Sequence, residues 1–222
     1  MIFDLHVHSK YSFDSISDPK KIIKVAKKKG LDGVAITDHN TIKGGRKANR
    51  INKDSDFSVI VGAEIATELG DIIGLFLNEE IKTRDSVKVI DEIKAQGGLV
   101  VLPHPFRGHK NIEEIAKSVD LIEVFNSRCS FKENKKAEEL AKNLKKEVAV
   151  GSDAHSLKEI GLATVCFEEK NSLKNLILNS NRKIISKIYT SRYLKVQSYI
   201  IGALKLKEYY KIPYYLSLLV RE

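Results

Sequence analysis

Short apolar runs rich in β-branched residues alternate along the chain with amphipathic stretches of about ten to fifteen residues. A strand needs only a few residues and a helix needs more than ten, so the runs predict strands and the longer stretches predict helices. This alternation is typical of parallel sheets, in which a helix connects each strand to the next. Seven strands are predicted in this way, within residues 2–8, 32–37, 58–64, 98–104, 120–126, 147–153 and 162–167.

The segment after the third predicted strand departs from this alternation. It reads ATELGDIIGLFL, and its second apolar run begins directly after Gly70 and Asp71. Glycine and aspartate between two apolar runs favour a tight turn, so the segment predicts an extra hairpin. The other connections predict helices. PKKIIKVAKKKG, for example, opens with Pro19 behind the N-cap residue Asp18 and ends at a glycine.

Length and composition indicate one main domain. The 222 residues are 42% hydrophobic and 30% charged, which is enough for one sizeable core and leaves little for a second. No run approaches the roughly 18 apolar residues of a membrane span, and the residues after Met1 lack the apolar core of a signal peptide. Cys129 and Cys166 form neither a Cys-x-x-Cys pair nor a disulfide framework, so we expect a cytoplasmic protein.

The net charge is confined to the last quarter of the chain. Residues 170–222 hold 11 basic and 2 acidic residues, which accounts for the whole net charge of +9 and leaves residues 1–169 balanced. Seven of the eight tyrosines lie in the same segment. We therefore expect a main domain over residues 1–169 and a basic, Tyr-rich helical extension over residues 170–222.

Residues able to bind metal ions collect where the predicted strands end. Five of the six histidines close or follow a strand, together with acidic residues and one asparagine. The set is His6, His8, Asp38, His39, Glu64, His104, Asn126, Asp153 and His155. In a parallel βα barrel the carboxyl ends of the strands form one face, where active sites are built from successive loops. We therefore expect these side chains to converge on a single surface.

The spacing and the types of these residues favour a metal centre. Alternate residues of a strand point the same way, so His6 and His8 can project together, as can Asp153 and His155. Imidazole and carboxylate ligands suit Zn, Mn or Fe, and so many of them imply more than one ion. A histidine taken singly is more often a hydrogen-bonded structural residue, and this interpretation holds for His109, which stands alone in a loop.

Five motifs carry a family resemblance. DLHVHSKYSFDS at Asp4, ITDHN at Ile36, GAEI at Gly62, HPFR at His104 and GSDAH at Gly151 resemble, in the same order, the motifs of the PHP (polymerase and histidinol phosphatase) family. The resemblance covers residues 1 to about 169. It implies an α/β fold, namely a distorted seven-stranded TIM-like βα barrel, with two or three divalent metal ions (Zn, Mn or Fe) that hydrolyse phosphate esters.

The resemblance also implies how the ligands are shared. One ion would be held by His6, His8, Glu64 and Asp153, a second by Glu64 and His104, and a third by Asp14, His39 and His155. Many members complete the second site with a histidine or cysteine near the end of the fifth strand, where this chain has Asn126. That difference implies a weaker or more water-filled second site. We expect Asp38 to orient a neighbouring imidazole through a hydrogen bond.

A metal-dependent phosphoesterase is the expected function, because clustered ions supply hydroxide near neutral pH and neutralise phosphate oxygens. Arg107, three residues after His104, is placed to donate hydrogen bonds from its guanidinium to a phosphate oxygen, although many arginines form only surface ion pairs.

The expected substrates are phosphomonoesters, nucleotides or terminal phosphodiesters. The alternatives are an exonuclease on short RNA or DNA, a histidinol-phosphate phosphatase, and a non-catalytic metal-binding scaffold. The near-complete ligand set argues against the scaffold, and the usually greater length of histidinol-phosphate phosphatases argues against that substrate.

The extension leaves two interpretations open. Its Lys, Arg and Tyr content suits contact with a phosphate backbone and stacking on bases, with Lys183, Lys187, Arg192 and Lys195 as the basic contacts. Its many apolar residues instead favour amphipathic helices that pack on the main domain or on a second copy of the chain, and we prefer this interpretation slightly. A membrane-surface role is less favoured.

Overall fold

The computed structural model of the chain describes residues 1–168, 172–179 and 181–220. The strands are β1 (Ile2–Val7), β2 (Gly33–Ile36), β3 (Ser58–Thr67), β4 (Gly70–Leu75), β5 (Leu99–Leu102), β6 (Leu121–Asn126), β7 (Glu147–Gly151), β8 (Ala163–Phe167) and β9 (Arg182–Lys187). The helices are α1 (Pro19–Lys28), α2 (Lys43–Ile51), α3 (Ser86–Ala95), α4 (Ile112–Ser118), α5 (Phe131–Leu144), α6 (Leu173–Asn179), α7 (Arg192–Lys205) and α8 (Ile212–Ser217), with a 3₁₀ turn at Tyr209–Lys211.

The strands form one sheet that curves into a nearly closed barrel. Its order is β7-β6-β5-β4-β3-β2-β1-β8-β9. Neighbouring strands are parallel from β1 to β3 and from β5 to β7, whereas β4 runs antiparallel to both of its neighbours. The ring closes where the segment after β7 meets the end of β1. Val7 pairs there with Ala154, and the backbone N–H of His8 donates to the Ala154 carbonyl at 2.8 Å.

The expected count of seven parallel strands is not confirmed, because the described residues contain nine strands. The hairpin predicted around Gly70 is present, and its second strand, β4, takes a place in the ring. β8, predicted as a member of the parallel series, runs antiparallel to the beginning of β1 and lies outside the ring. β9 falls within the extension that was predicted to be helical, and it pairs with β8. Exposure alternates along β9, as expected of a strand at the edge of a sheet. In the sequence, a six-residue alternation is too short to distinguish a strand from a helix.

Burial explains why the polar residues appear at the strand ends. Every residue of β2 (GVAI) and β5 (LVVL) is buried, as expected of parallel strands covered on both faces. Each run stops where polar residues begin, at Thr37 and at His104. Helices cover the outside of the barrel. α1 opens as predicted, with the Asp18 side chain accepting from the Lys20 N–H, and α5 opens with a capping box formed by Ser130 and Glu133.

The extension contributes both a strand and helices. α6 and α7 are helical as expected, and α7 packs on the barrel through Val196, Ser198, Gly202 and Ala203. α8 has no buried residue, and several tyrosines remain exposed around it. The expected division of the chain at Glu169 lies outside the described residues and stays a prediction.

None of the helices in the described part of the chain is long and apolar enough to cross a membrane.

Candidate metal centre

Ligand-type side chains from several strand ends converge on one side of the barrel. Six of these side chains are at most 5% exposed, namely those of His6, His8, Glu64, His104, Asp153 and His155. They form overlapping groups with Asp14, His39 and Asp71, in which the ligand atoms lie within 4.8 Å of one another. The groups share His8 and Glu64 and therefore form one continuous centre.

The first group has the dimensions of a metal site. Nε2 of His6 lies 3.1 Å from Nε2 of His8, 3.3 Å from Oε2 of Glu64 and 3.6 Å from Oδ1 of Asp153. Nε2 of His8 lies 3.2 Å from each of those two oxygens. Tetrahedral coordination with bonds of roughly 2.0–2.2 Å places ligand atoms about 3.3–3.6 Å apart. The observed separations are close to this spacing.

Hydrogen bonds fix which nitrogen of each imidazole faces the group. Nδ1 of His6 lies 2.9 Å from Oε1 of Glu123, and Nδ1 of His8 lies 2.9 Å from Oγ of Ser12. Both Nε2 atoms therefore point at the two carboxylates. When these nitrogens carry lone pairs, four acceptor atoms surround one point, an arrangement that a cation satisfies.

Glu123, which the pattern of strand ends does not indicate, is central to the site. Its Oε1 holds His6, and its Oε2 accepts from the backbone N–H of His104 at 2.8 Å and from the Asn126 amide at 2.9 Å. Gly151 makes room for it, because a Cβ there would lie 2.2 Å from the His6 Cβ and 2.6 Å from Glu123 Oε1. The available signal was a carboxylate in the middle of the apolar strand LIEVFN.

Asp153 is oriented by two partners on one oxygen. Its Oδ2 lies 2.7 Å from the guanidinium of Arg107 and 3.2 Å from the amide nitrogen of Asn126. Its Oδ1, which faces the first group, is buried and has no hydrogen-bond partner. Buried carboxylate oxygens rarely lack a partner, and a metal ion supplies one. Asp153 also has a φ of 52°, a strained value for a residue other than glycine.

Glu64 joins the first group to a second one. While its Oε2 faces His6 and His8, its Oε1 lies 2.7 Å from Nε2 of His104. Asp71 completes this second group. The sequence predicts Asp71 in the turn of the hairpin rather than at a strand end, so Asp71 is absent from the predicted ligand set. The two oxygens of Glu64 thus face different groups, and a bridging role for Glu64 stays a prediction.

The third group contains His8, Asp14, His39 and His155. Nδ1 of His155 lies 2.8 Å from the Asp153 carbonyl, so it donates there and leaves Nε2 to face Oδ2 of Asp14, also at 2.8 Å. Nε2 of His39 lies 3.4 Å from the same oxygen. The Asp14 Oδ1 atom is buried without a hydrogen-bond partner. His39 and Asp14 are 16% and 13% exposed, so this group is partly open to solvent.

The charges of the centre keep its carboxylates ionised. Burial by itself raises the pKa of Glu64 and of Asp153, but neighbouring charges outweigh it and hold both pKa values well below the ordinary range. For Glu64 the main charges are His39 and His6, and for Asp153 they are Arg107 and His6. The carboxylates in turn raise the pKa of His6 and of His8 against the opposing effect of burial. Divalent ions compete with protons for such sites.

Two predicted site residues have partners that differ from expectation. Asp38, expected to orient an imidazole, instead accepts from the backbone N–H and the hydroxyl of Ser9, at 2.6 and 2.7 Å. Its carboxylate therefore holds the start of the loop after β1, where Ser9 lies. Asn126 uses its amide nitrogen on Asp153 and Glu123, while its oxygen accepts from the Arg128 N–H at 2.9 Å. A ligand role for Asn126 stays a prediction.

Asp4 and His109 have structural contacts near the centre. Asp4 accepts from the N–H and the hydroxyl of Ser152 and from the N–H of Gly161, and its burial raises its pKa to about 6. Nε2 of His109 donates to the Asp71 carbonyl at 2.8 Å, and its burial lowers its pKa to about 4. Asp4 thereby holds the segment that carries Asp153, and His109 holds the start of β4 with Asp71.

Taken together, the donor set fits divalent ions. The partnerless oxygens of Asp14 and Asp153, the Nε2 atoms directed inward and the spacing of the first group all agree with this assignment. Neutral imidazoles and carboxylates suit Zn, Mn or Fe. Which residues bind an ion, and how many ions bind, stays a prediction.

Comparisons with known proteins agree with the resemblance noted in the sequence. The model of the PHP domain family matches residues 4–211. Uncharacterized protein MJ1587 of Methanocaldococcus jannaschii is 46% identical over 138 residues, which cover 56% of this chain and 81% of that protein. Uncharacterized protein MJ0417 of the same organism is 38% identical over 214 residues, which cover 90% of this chain and 85% of that protein.

A solved structure shares the fold. It is a two-domain protein of Bacteroides vulgatus containing a predicted PHP-like metal-dependent phosphoesterase, with a TM-score of 0.71 and 17% identity. The match covers 90% of this chain and 69% of that one. The family model spans nearly the whole chain, and MJ0417 is similar over most of its length. The chain therefore belongs to the PHP domain family.

Proposed function

We propose that this protein is a metal-dependent phosphoesterase that hydrolyses phosphomonoesters, nucleotides or terminal phosphodiesters by attack of an activated water. The observation that carries the proposal is the continuous set of three ligand groups sharing Glu64 and His8, with the guanidinium of Arg107 on its border. Such a set exceeds the needs of one structural ion. Structural zinc sites, moreover, are usually closed and rich in cysteine.

The residues of the chain have separate tasks in this proposal. Divalent ions would neutralise phosphate oxygens and lower the pKa of a coordinated water. Glu64 and Asp153 would hold the ions, while Glu123 and Asn126 hold His6 and Asp153 in place. Arg107, whose side chain is 37% exposed, donates to Asp153 and keeps further N–H groups for a phosphate oxygen. No serine or cysteine nucleophile is needed.

A cavity next to the third group can receive the leaving group. It has a volume of about 310 Å³ and extends from His155 between the loop after β1 and helix α7. Leu194 and Ile201 of α7 line it together with Tyr193 and Lys21. The mixture of apolar, aromatic and basic side chains suits an organic leaving group with a polar end, such as a nucleoside.

The first experiment measures bound ions and hydrolysis together. Purified protein is loaded with Mn²⁺, its metal content is determined by elemental analysis, and a panel of aryl phosphates, nucleotides and short oligonucleotides is tested. We expect at least two ions per chain and hydrolysis of at least one class of ester. Oligonucleotide shortening without release of phosphate from mononucleotides would favour the exonuclease alternative.

Variants connect the activity to the centre. Glu64→Gln and Asp153→Asn keep the shape of each side chain and remove its charge, so we expect both to lose bound metal and turnover while remaining folded. Asp91→Asn, on the exposed face of α3, is the matched control and should behave as the unmodified protein. A protein that binds its ions fully and hydrolyses none of the panel would support the metal-binding scaffold and overturn the proposal.

A further inference from the structure

Lys205, in the last turn of α7, is bonded to the loop that follows β1. Its ammonium donates to three backbone carbonyls of that loop, those of Lys10 at 3.0 Å, Ser12 at 2.7 Å and Ser15 at 2.6 Å. An ammonium has three protons, so these bonds use its full donor capacity. All three N–H groups of this ammonium are therefore bonded to the protein's own backbone, and none remains to bind the phosphate of a substrate.

The loop held by Lys205 supports several members of the third group. It carries Asp14 itself. It also carries Ser12, whose hydroxyl lies 2.9 Å from Nδ1 of His8 and accepts from the backbone N–H of His39 at 2.9 Å. The ring of Phe13 stacks on the imidazole of His39 with the ring centroids 4.9 Å apart. A shift of this loop would therefore move Asp14 and release two of the imidazoles.

Helix α7 also packs directly on this loop. Gly202 faces Phe13 and Asp14, and a Cβ added at Gly202 would lie 3.4 Å from side-chain atoms of both residues. The helix and the loop are therefore close together at this point, and Lys205, three residues further on, reaches the carbonyls.

A second connection runs from α7 to the other side of the same group. The guanidinium of Arg128 donates to the hydroxyl of Ser198 in α7 at 2.5 Å and to the Glu159 carboxylate at 2.7 Å. Glu159 accepts in turn from the backbone N–H groups of His155, at 3.1 Å, and Ser156, at 2.8 Å. The Arg128 and Glu159 side chains are 5% and 0% exposed, and the proposed reaction uses neither. A buried ion pair of this kind fixes the backbone of the segment that carries His155.

We propose that α7 positions the third group, with Lys205 holding the loop of Asp14 and the Arg128–Glu159 pair holding the segment of His155. The extension thereby sets the affinity of the protein for the ion bound by Asp14, His39 and His155. This inference rests on the metal centre of the proposed function. Lys205 and Arg128 are positioning residues, because they act through the backbone that carries the ligands.

The test is a measurement of ion affinity and does not depend on turnover. Mn²⁺ binding to the full chain is measured by titration calorimetry and equilibrium dialysis for Lys205→Met, which keeps the aliphatic stem and removes the ammonium. Asp14→Ala identifies the ion bound by the third group. We expect Lys205→Met to lower the affinity for that same ion by about 10- to 100-fold, the usual loss when the support of a ligand is removed. The affinity for the other ions should stay unchanged.

Lys207→Met is the matched control. Lys207 lies just beyond α7, and its side chain makes no hydrogen bond in the described part of the chain. Its variant should bind all ions as the unmodified protein does. In the Asp14→Ala background, Lys205→Met should cause no further loss of affinity, because the site that it supports is already removed.

Ser198→Ala tests the second connection and keeps the proposal open to refutation if Lys205→Met fails to fold. This variant should also lower the affinity for the ion that Asp14→Ala no longer binds. Unchanged affinity in Ser198→Ala and Lys205→Met would overturn the proposal. An equal loss of every ion, persisting in the Asp14→Ala background, would overturn it as well, since α7 would then support the barrel as a whole. An unmodified protein that binds no Mn²⁺ would instead refute the metal centre itself.

Discussion

The guanidinium of Arg107 lies 2.7 Å from Oδ2 of Asp153, although 46 residues separate them in the chain. The contact occupies one carboxylate oxygen and leaves the other directed at the ligand group. Asp153 in turn contributes to a raised pKa for Arg107, against the opposing effect of its partial burial. Arg107 is thus placed both to orient a ligand-type residue and to meet a substrate at the border of the centre.

Arg107→Ala should lower kcat/KM for phosphate esters by about tenfold to a thousandfold, the loss expected when one preorganised donor is removed from the transition state. Steady-state kinetics at saturating Mn²⁺ measure this effect. Arg84→Ala is the control, because the Arg84 guanidinium is exposed and donates to the Thr83 carbonyl. Normal kinetics with weakened ion binding would show that Arg107 acts only by orienting Asp153.

Glu123→Gln should weaken ion binding by about 10- to 100-fold without unfolding the protein. The carboxylate of Glu123 fixes the ring of His6 and increases its basicity, and a neutral amide does so less well. Competition with a chelator measures the ion affinity. Glu133→Gln, which alters the capping box of α5, should lower thermal stability slightly and leave the ion affinity intact. Equal chelator resistance of Glu123→Gln and the unmodified protein would contradict the role of Glu123.

Ile201→Trp should fill part of the cavity beside His155. We expect kcat/KM for a nucleoside monophosphate to fall about tenfold or more relative to kcat/KM for a small alkyl phosphate, because only the larger leaving group needs the space. Ile200→Trp, at the neighbouring position outside the cavity lining, is the control. An unchanged ratio of the two substrates would place the leaving group elsewhere.

His109 should make the protein less stable as the pH falls. Its pKa is about 4 in the folded state and 6.5 in its ordinary state, so between these values the unfolded chain binds the proton and the folded chain does not. Stability therefore rises with pH across this window, and the difference of roughly 2.5 pKa units corresponds to at most about 3 kcal/mol.

His109→Gln keeps a donor for the Asp71 carbonyl and removes the titrating ring. Urea unfolding at pH 7.5 and at pH 4 should show a smaller loss of stability in this variant than in the unmodified protein. Equal losses in both proteins would show that the burial of His109 does not affect folding in this window.

The sequence by itself determined where most of the ligand-type side chains would be placed. Strand periodicity is local, and a buried run such as LVVL ends where polar residues begin, so His104 had to emerge at a strand end. Carboxyl ends of parallel strands share one face, and this rule predicts that His6, Glu64 and His155 lie close together. Their geometry agrees with that expectation, and their ligand roles stay predictions.

Only the tertiary structure decided which of these side chains would be neighbours. Asp14 meets His155 across 141 residues because the barrel closes between β1 and the segment after β7. Asp71 reaches the centre because β4 enters the ring antiparallel. Lys205 binds the loop after β1 because α7 packs beside that loop. Each of these contacts depends on strand order, register and loop conformation, which are set by long-range packing and leave no periodic pattern in the sequence.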